Sequence, residues 1–127
     1  MSNLLANRII TPDGTIIQSF NRHDYREYKD TVSGEWYMVD GGLDYLRGSV
    51  NTVRPTYDHC YDTDSHEKIR DYFHWGTRGV TGRDDLTYVP LKDLTDPHIQ
   101  AILNTQWQIP PYIRQVFINE LNWRLNV

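Results

Sequence analysis

The run Arg8-Ile9-Ile10-Thr11, Pro12-Asp13-Gly14, Thr15-Ile16-Ile17-Gln18-Ser19-Phe20 commits the front of this chain to antiparallel β-structure. β-branched residues crowd both arms, proline presets φ at the first central turn position, and Gly14 accepts a left-handed backbone, so the spacing predicts a hairpin. A second hairpin is expected from Asp24-Tyr25-Arg26-Glu27-Tyr28 through Thr31-Val32-Ser33-Gly34 to Glu35-Trp36-Tyr37-Met38-Val39. Alternation puts Tyr25, Glu27 and Lys29 on one of its faces and Arg26 and Tyr28 on the other. Asp40-Gly41-Gly42 stops the strand, and Leu43 to Val50 is expected to be a further strand or an irregular edge.

The character of the chain then changes. Asn51 to Asp64, with Pro55, Asp58, His59, Asp62 and Asp64, reads as a solvated connection. Ser65 is placed to cap a helix carrying Ile69, Tyr72 and Phe73 at helical spacing, which Gly76, Gly79 and Gly82 cut short. Leu86-Thr87-Tyr88-Val89 suits a short strand. Asp96-Pro97 opens a second helix, with the acid as cap, and Pro110-Pro111 separates it from a last helix over about Pro111 to Asn126. On that last helix Tyr112, Ile113, Val116, Phe117, Ile118, Leu121, Trp123 and Leu125 spread over roughly 240°, against about 100° for a helix covering one core. The excess points to a second apolar contact, with another protomer or in a crevice of its own domain. The fold class is therefore α+β: an N-terminal antiparallel β-sheet of short hairpins followed by two or three C-terminal helices, with residues 1–127 in a single domain.

Composition sets the outer limits. Four Trp, nine Tyr and three Phe can anchor a core without a covalent staple, and the one cysteine, Cys60, forbids an internal disulfide. No basic, apolar leader opens the sequence and no run approaches the roughly 18 apolar residues of a membrane span, so a cytoplasmic location and no membrane partner are expected. Thirteen Lys and Arg against seventeen Asp and Glu argue against DNA or RNA polymers as partners. A small phosphorylated ligand needs only a couple of arginines and a few N–H groups, and stays open.

No P-loop, dinucleotide-binding glycine pattern or nucleophilic serine elbow is present. His59, Asp62, Asp64, His66 and Glu67 match neither zinc nor calcium spacing and read as an acidic loop, so no metal and no cofactor are expected. His23 and Asp24 with Asp40 have two readings: an acid–base pair, or a buried polar cluster tying the hairpins together. The segment Trp75-Gly76-Thr77-Arg78 offers a flat ring for a base, close backbone approach, a hydroxyl and a guanidinium fork for phosphate. By composition alone, Trp75 at a helix end is more often a core plug than a ligand platform.

Five blocks carry a resemblance: Asn7-Arg8-Ile9-Ile10-Thr11-Pro12-Asp13-Gly14-Thr15; Arg22-His23-Asp24-Tyr25; Tyr37-Met38-Val39-Asp40-Gly41-Gly42-Leu43-Asp44-Tyr45; Trp75-Gly76-Thr77; and Leu91-Lys92-Asp93-Leu94-Thr95-Asp96-Pro97-His98-Ile99. Together they resemble a family of small proteins of tailed bacteriophages. The chain is similar to the anti-CBASS sponges, small oligomeric proteins that sequester cyclic nucleotide immune signals without cleaving them. The Thoeris anti-defence sponges, which hold ADP-ribose-derived signals, look similar in size and layout. The resemblance implies a cyclic di- or trinucleotide or related signal as ligand and a homo-oligomer, dimer or tetramer, in the cytoplasm of the infected host. It implies no catalytic residue, and a pocket holding Trp75, Gly76 and Thr77, with His23, Asp24 and Tyr25 next. Arg78 departs from it, because that position is often aromatic in the family. Two further functions fit the residues alone: docking on a host protein through Tyr25, Tyr28 and Trp36, or phosphodiester hydrolysis by His23, Asp24 and Asp40.

Overall fold

In a computed structural model that describes residues 2–79 and 81–126, seven strands come first, and a short helix and one further hairpin precede the two longer helices. Met1, Val80 and Val127 lie outside the described residues. The order is β1 (Leu4–Ile10), β2 (Ile16–Ser19), β3 (Arg26–Lys29), β4 (Trp36–Asp40), β5 (Arg47–Gly48), β6 (Thr56–Tyr57), β7 (Cys60–Tyr61), α1 (His66–Tyr72), β8 (His74–Thr77), β9 (Thr87–Pro90), a 3-10 turn (Leu91–Asp93), α2 (Asp96–Thr105) and α3 (Pro111–Leu125). This is the expected α+β arrangement with three helices. The chain divides into two compact units, Leu4–Tyr61 and the part from Asp62 onward, to which the residues before Leu4 belong.

In the first unit, β1 pairs antiparallel with β2 on one side, Ile9 opposite Ile17, and on the other with β6 and β7. A second sheet runs β3-β4-β5. Ile9, Tyr37 and Val39 form the buried centre, with Ile17 packed against it. Both turns are locked by carboxylates. Asp13 accepts from Thr11, Thr15, Tyr28 and Thr31, and its own N–H donates to Asp30, which also holds Ser33. The backbone N–H of Thr31 and the Tyr28 hydroxyl hold the Asp13 carboxyl far below its ordinary range. The Pro-Asp-Gly turn thus anchors the second hairpin as well as the first.

The stretch expected to be a solvated connection instead extends the β1 sheet. Thr56-Tyr57 and Cys60-Tyr61 pair with β1, and between them the N–H of Asp58 still reaches the Arg8 carbonyl at 3.0 Å while its carboxylate takes the Arg8 guanidinium at 2.8 Å. An aspartate along a strand edge is tolerated because β1 supplies its partner.

The second unit buries Ile69, Phe73, Leu91, Leu94, Ile99, Ile102, Ile113, Val116 and Phe117. Ser65 caps α1, its hydroxyl accepting from the Lys68 N–H. Thr95 caps α2, not Asp96 as the sequence predicts; the acid and Pro97 occupy the first turn. Among the described residues no helix is long and apolar enough to cross a membrane.

Candidate functional site

Two cross-strand pairs in the first unit define an open groove. Val39 of β4 lies opposite Gly48 of β5, and Ile9 of β1 lies opposite Tyr57 of β6; paired residues share a face. Ile9 and Val39 belong to the core and form the floor. Gly48 contributes no side chain, so the position beside Val39 is unfilled, and a Cβ built there would meet only the Met38 carbonyl at 3.4 Å, an ordinary contact. The result is a groove of about 440 Å³, within the range of small-molecule sites.

Two rings line the groove: Tyr57 and His59 lie 5.8 Å apart, and His59 is backed by Tyr61, which it meets edge-on at 6.5 Å. The segment from Leu46 to Val50 also lines the groove, with Val50 fully exposed. The chain on either side of that segment is pinned. The Asn7 amide donates to the Asp40 carbonyl at 2.9 Å, Glu35 accepts from the N–H groups of Thr52 and Val53, the Tyr37 hydroxyl donates to the Val53 carbonyl, and Asn51 donates to the Trp36 carbonyl. The donated N–H groups of Thr52 and Val53 hold the Glu35 carboxyl below its ordinary range. Arg47 stands at the rim, 65% exposed, its guanidinium 3.6 Å from the Asp40 carboxylate. An apolar floor, a ring-bearing wall, an imidazole and a largely exposed rim cation, shared with Asp40 at 3.6 Å, suit a planar group with an anionic extension.

The residues singled out in the sequence sit elsewhere. Trp75 is in strand β8, not at a helix end; it is half-buried and meets Phe117 edge-on at 5.2 Å, inside the core of the second unit. Gly76 faces Tyr88 across β8–β9, and a Cβ there would come within 3.0 Å of the Tyr88 ring, so the space its missing side chain leaves is already taken. The Thr77 hydroxyl accepts from Gly79, and Arg78 is exposed with its carbonyl bound by Asp84. His23, Asp24 and Tyr25 lie in the first unit. His23 is exposed; Asp24 is occupied by the Phe20 N–H at 2.8 Å and by Arg26 at 2.7 Å; Tyr25 donates to Glu27, whose carboxylate raises the phenol's pKa. The Ser19 hydroxyl donates to the Asp24 carbonyl and accepts from Gly42, so this is a polar cluster that ties the hairpins together. The acid–base pairing of His23 and Asp24 with Asp40 is not formed.

The acidic loop is likewise committed. Asp62 accepts twice from Asn3, Asp64 pairs with Lys68, and His66 reaches Glu120. No three His, Cys, Asp or Glu are grouped to hold a metal among the described residues. A cleft of about 480 Å³ beside α1 contains Lys68, Arg70 and Lys92, but these face Asp64, Glu120 and Asp71, so its cations are already neutralised.

Sequence reasoning missed Glu120, which is fully buried on α3. Burial pushes its carboxyl up, and donors from Arg70, Arg124 and His66 outweigh that, so it rests below its ordinary value. Trp123 beside it is covered by His66 at 5.4 Å and by Arg70 at 5.6 Å, so part of the broad apolar arc of α3 is used within its own unit. The signal was present as a lone acid between Val116, Phe117 and Leu121.

Comparison with protein-family models, with curated proteins and with solved structures finds no match.

Proposed function

We propose that this protein binds a small nucleotide-derived signal, a cyclic di- or trinucleotide or an ADP-ribose derivative, in the groove of its first unit and holds it without cleavage, as a phage-encoded sponge in the host cytoplasm. The observation that carries the reading is the groove itself: an unfilled position at Gly48 over a core floor, walled by Tyr57 and His59, with Arg47 at the rim. A base lies naturally against such rings, each stack contributing roughly 1–3 kcal/mol, and the rim cation suits the phosphate that follows the base. The resemblance to the phage sponges supplies the ligand class. To outcompete an effector the dissociation constant must be nanomolar or lower, about −12 kcal/mol, so burial on the floor and charge neutralisation add to the stack.

The test is binding followed by recovery. A signal incubated with the protein and released by heat should return intact on chromatography; a new product would replace the sponge with an enzyme. Docking on a host protein keeps support from Tyr25 and Trp36, which are more than half exposed, whereas Tyr28 is tied to Asp13 on the inner face. Capture of one stoichiometric host protein, lost in Trp36→Ala, would favour that reading.

A further inference from the structure

We infer that the outer edge of β3 is a self-association site, pairing antiparallel with β3 of a second copy of this chain about a two-fold axis through Tyr28. β3 is the terminal strand of its sheet, and no backbone hydrogen bond from outside the β3–β4 ladder reaches Arg26–Lys29 among the described residues. The ladder fixes which groups point outward. The Asp30 N–H donates to the Glu35 carbonyl at 2.9 Å, so the bonded pairs alternate from there to Tyr28 with Tyr37 and Arg26 with Val39. The N–H and C=O of Glu27 and Lys29 therefore face the open edge.

Natural sheets blunt such an edge with short strands, charged side chains, prolines or bulges; β3 is short and charged, but its charges are of both signs, so a second copy can pair with them as well as be repelled. β3 has neither proline nor bulge, and its register with β4 is continuous. Its outward-directed residues alternate in charge, Glu27 then Lys29, both exposed and on the face that carries Trp36 and Met38. Antiparallel pairing centred on Tyr28 sets each Glu27 opposite the partner's Lys29. The pair that exchanges backbone bonds is then also the pair with opposite charges. A parallel copy or a register shifted by one residue loses that match. The Tyr25 hydroxyl, 3.0 Å from the Glu27 carboxylate, holds the acid on this face in advance. The second copy is the occupant because the pattern is complementary to itself. The inference is independent of the groove, which opens at β5 on the far side of the same sheet.

Sedimentation velocity on the wild-type chain, on Glu27→Lys, on Lys29→Glu and on the double reversal tests it. Both side chains are exposed, and circular dichroism checks that each variant folds. A wild-type dimer is expected, weakened at least about tenfold by each single reversal, which sets like charges opposite, and restored to within about threefold by the double reversal. A wild-type chain still monomeric at about 1 mM overturns the inference, since a dissociation constant of that size would leave dimer visible. So does a dimer that the single reversals leave unchanged, or one that the double reversal fails to restore.

Discussion

Arg70 and Glu120 meet in a two-pronged ion pair, Nε on Oε1 and Nη2 on Oε2, both at 3.0 Å, with the carboxylate wholly buried. Arg124 adds a bond to Oε2 at 2.7 Å and His66 one to Oε1 at 2.9 Å. Arg124 also donates to the carbonyls of Leu91 and Leu94 and to Asp96, so one residue of α3 fastens the 3-10 turn and the start of α2. Glu120→Ala strands two arginines against a low-dielectric core and is expected to cost about 3–5 kcal/mol in urea unfolding. A cost under about 1 kcal/mol would show that the cluster is solvated in solution.

Acid should unfold the protein through its carboxylates. Asp13, Asp30, Asp62 and Glu120 all sit below their ordinary values, so the folded state binds fewer protons than the unfolded one. Their contribution is complete above the ordinary carboxylate range and is lost as pH falls through the lowered folded values. Thermal midpoints should stay level from neutral pH down to about 5 and drop below about 4, with a shallower drop in Asp13→Asn. A midpoint that rises on acidification would contradict this.

Two glycines of the first unit should respond oppositely. Gly48→Val brings its Cβ only to within 3.4 Å of the Met38 carbonyl and suits a strand, so the fold should hold while the groove fills. Gly42→Ala would put a Cβ 2.4 Å from the Asn21 backbone at φ +54°, and is expected to cost about 1–3 kcal/mol or more. Denaturation of both variants decides.

Trp75→Ala should act on stability. The ring packs on Phe117, so a loss of about 2–3 kcal/mol is expected, below the 3–5 kcal/mol of a fully buried tryptophan, with ligand affinity of the folded fraction unchanged. Lost affinity at unchanged stability would return the pocket to β8.

What the sequence disclosed was what neighbours in the chain decide. The Pro12-Asp13-Gly14 turn, the alternation through Tyr28 and Trp36, and the Ser65 cap are local devices, and all three stand in the structure. The pairing of Tyr57 with Ile9 joins segments far apart in the chain, and Asp58-His59 between the two short strands disguised it. Gly76 looked like a helix breaker although it makes room for Tyr88, a partner visible only once β8 and β9 pair. The groove was invisible for the same reason: it is the absence of a side chain at Gly48 opposite residues from three other strands. Of the arginines of Glu120, Arg124 stands four residues on in the same helix and was legible, whereas Arg70 arrives from α1 and was not.

The most direct test of the sequestering groove is isothermal calorimetry of the wild-type chain and of Gly48→Val against 3′,3′-cyclic GMP-AMP, related cyclic di- and trinucleotides, and ADP-ribose cyclisation products. Tight binding of one of these by the wild-type chain, lost in a Gly48→Val variant of unchanged stability, is the expected result. Binding that survives in Gly48→Val would move the ligand out of the groove, and no heat from any of them would contradict nucleotide sequestration itself.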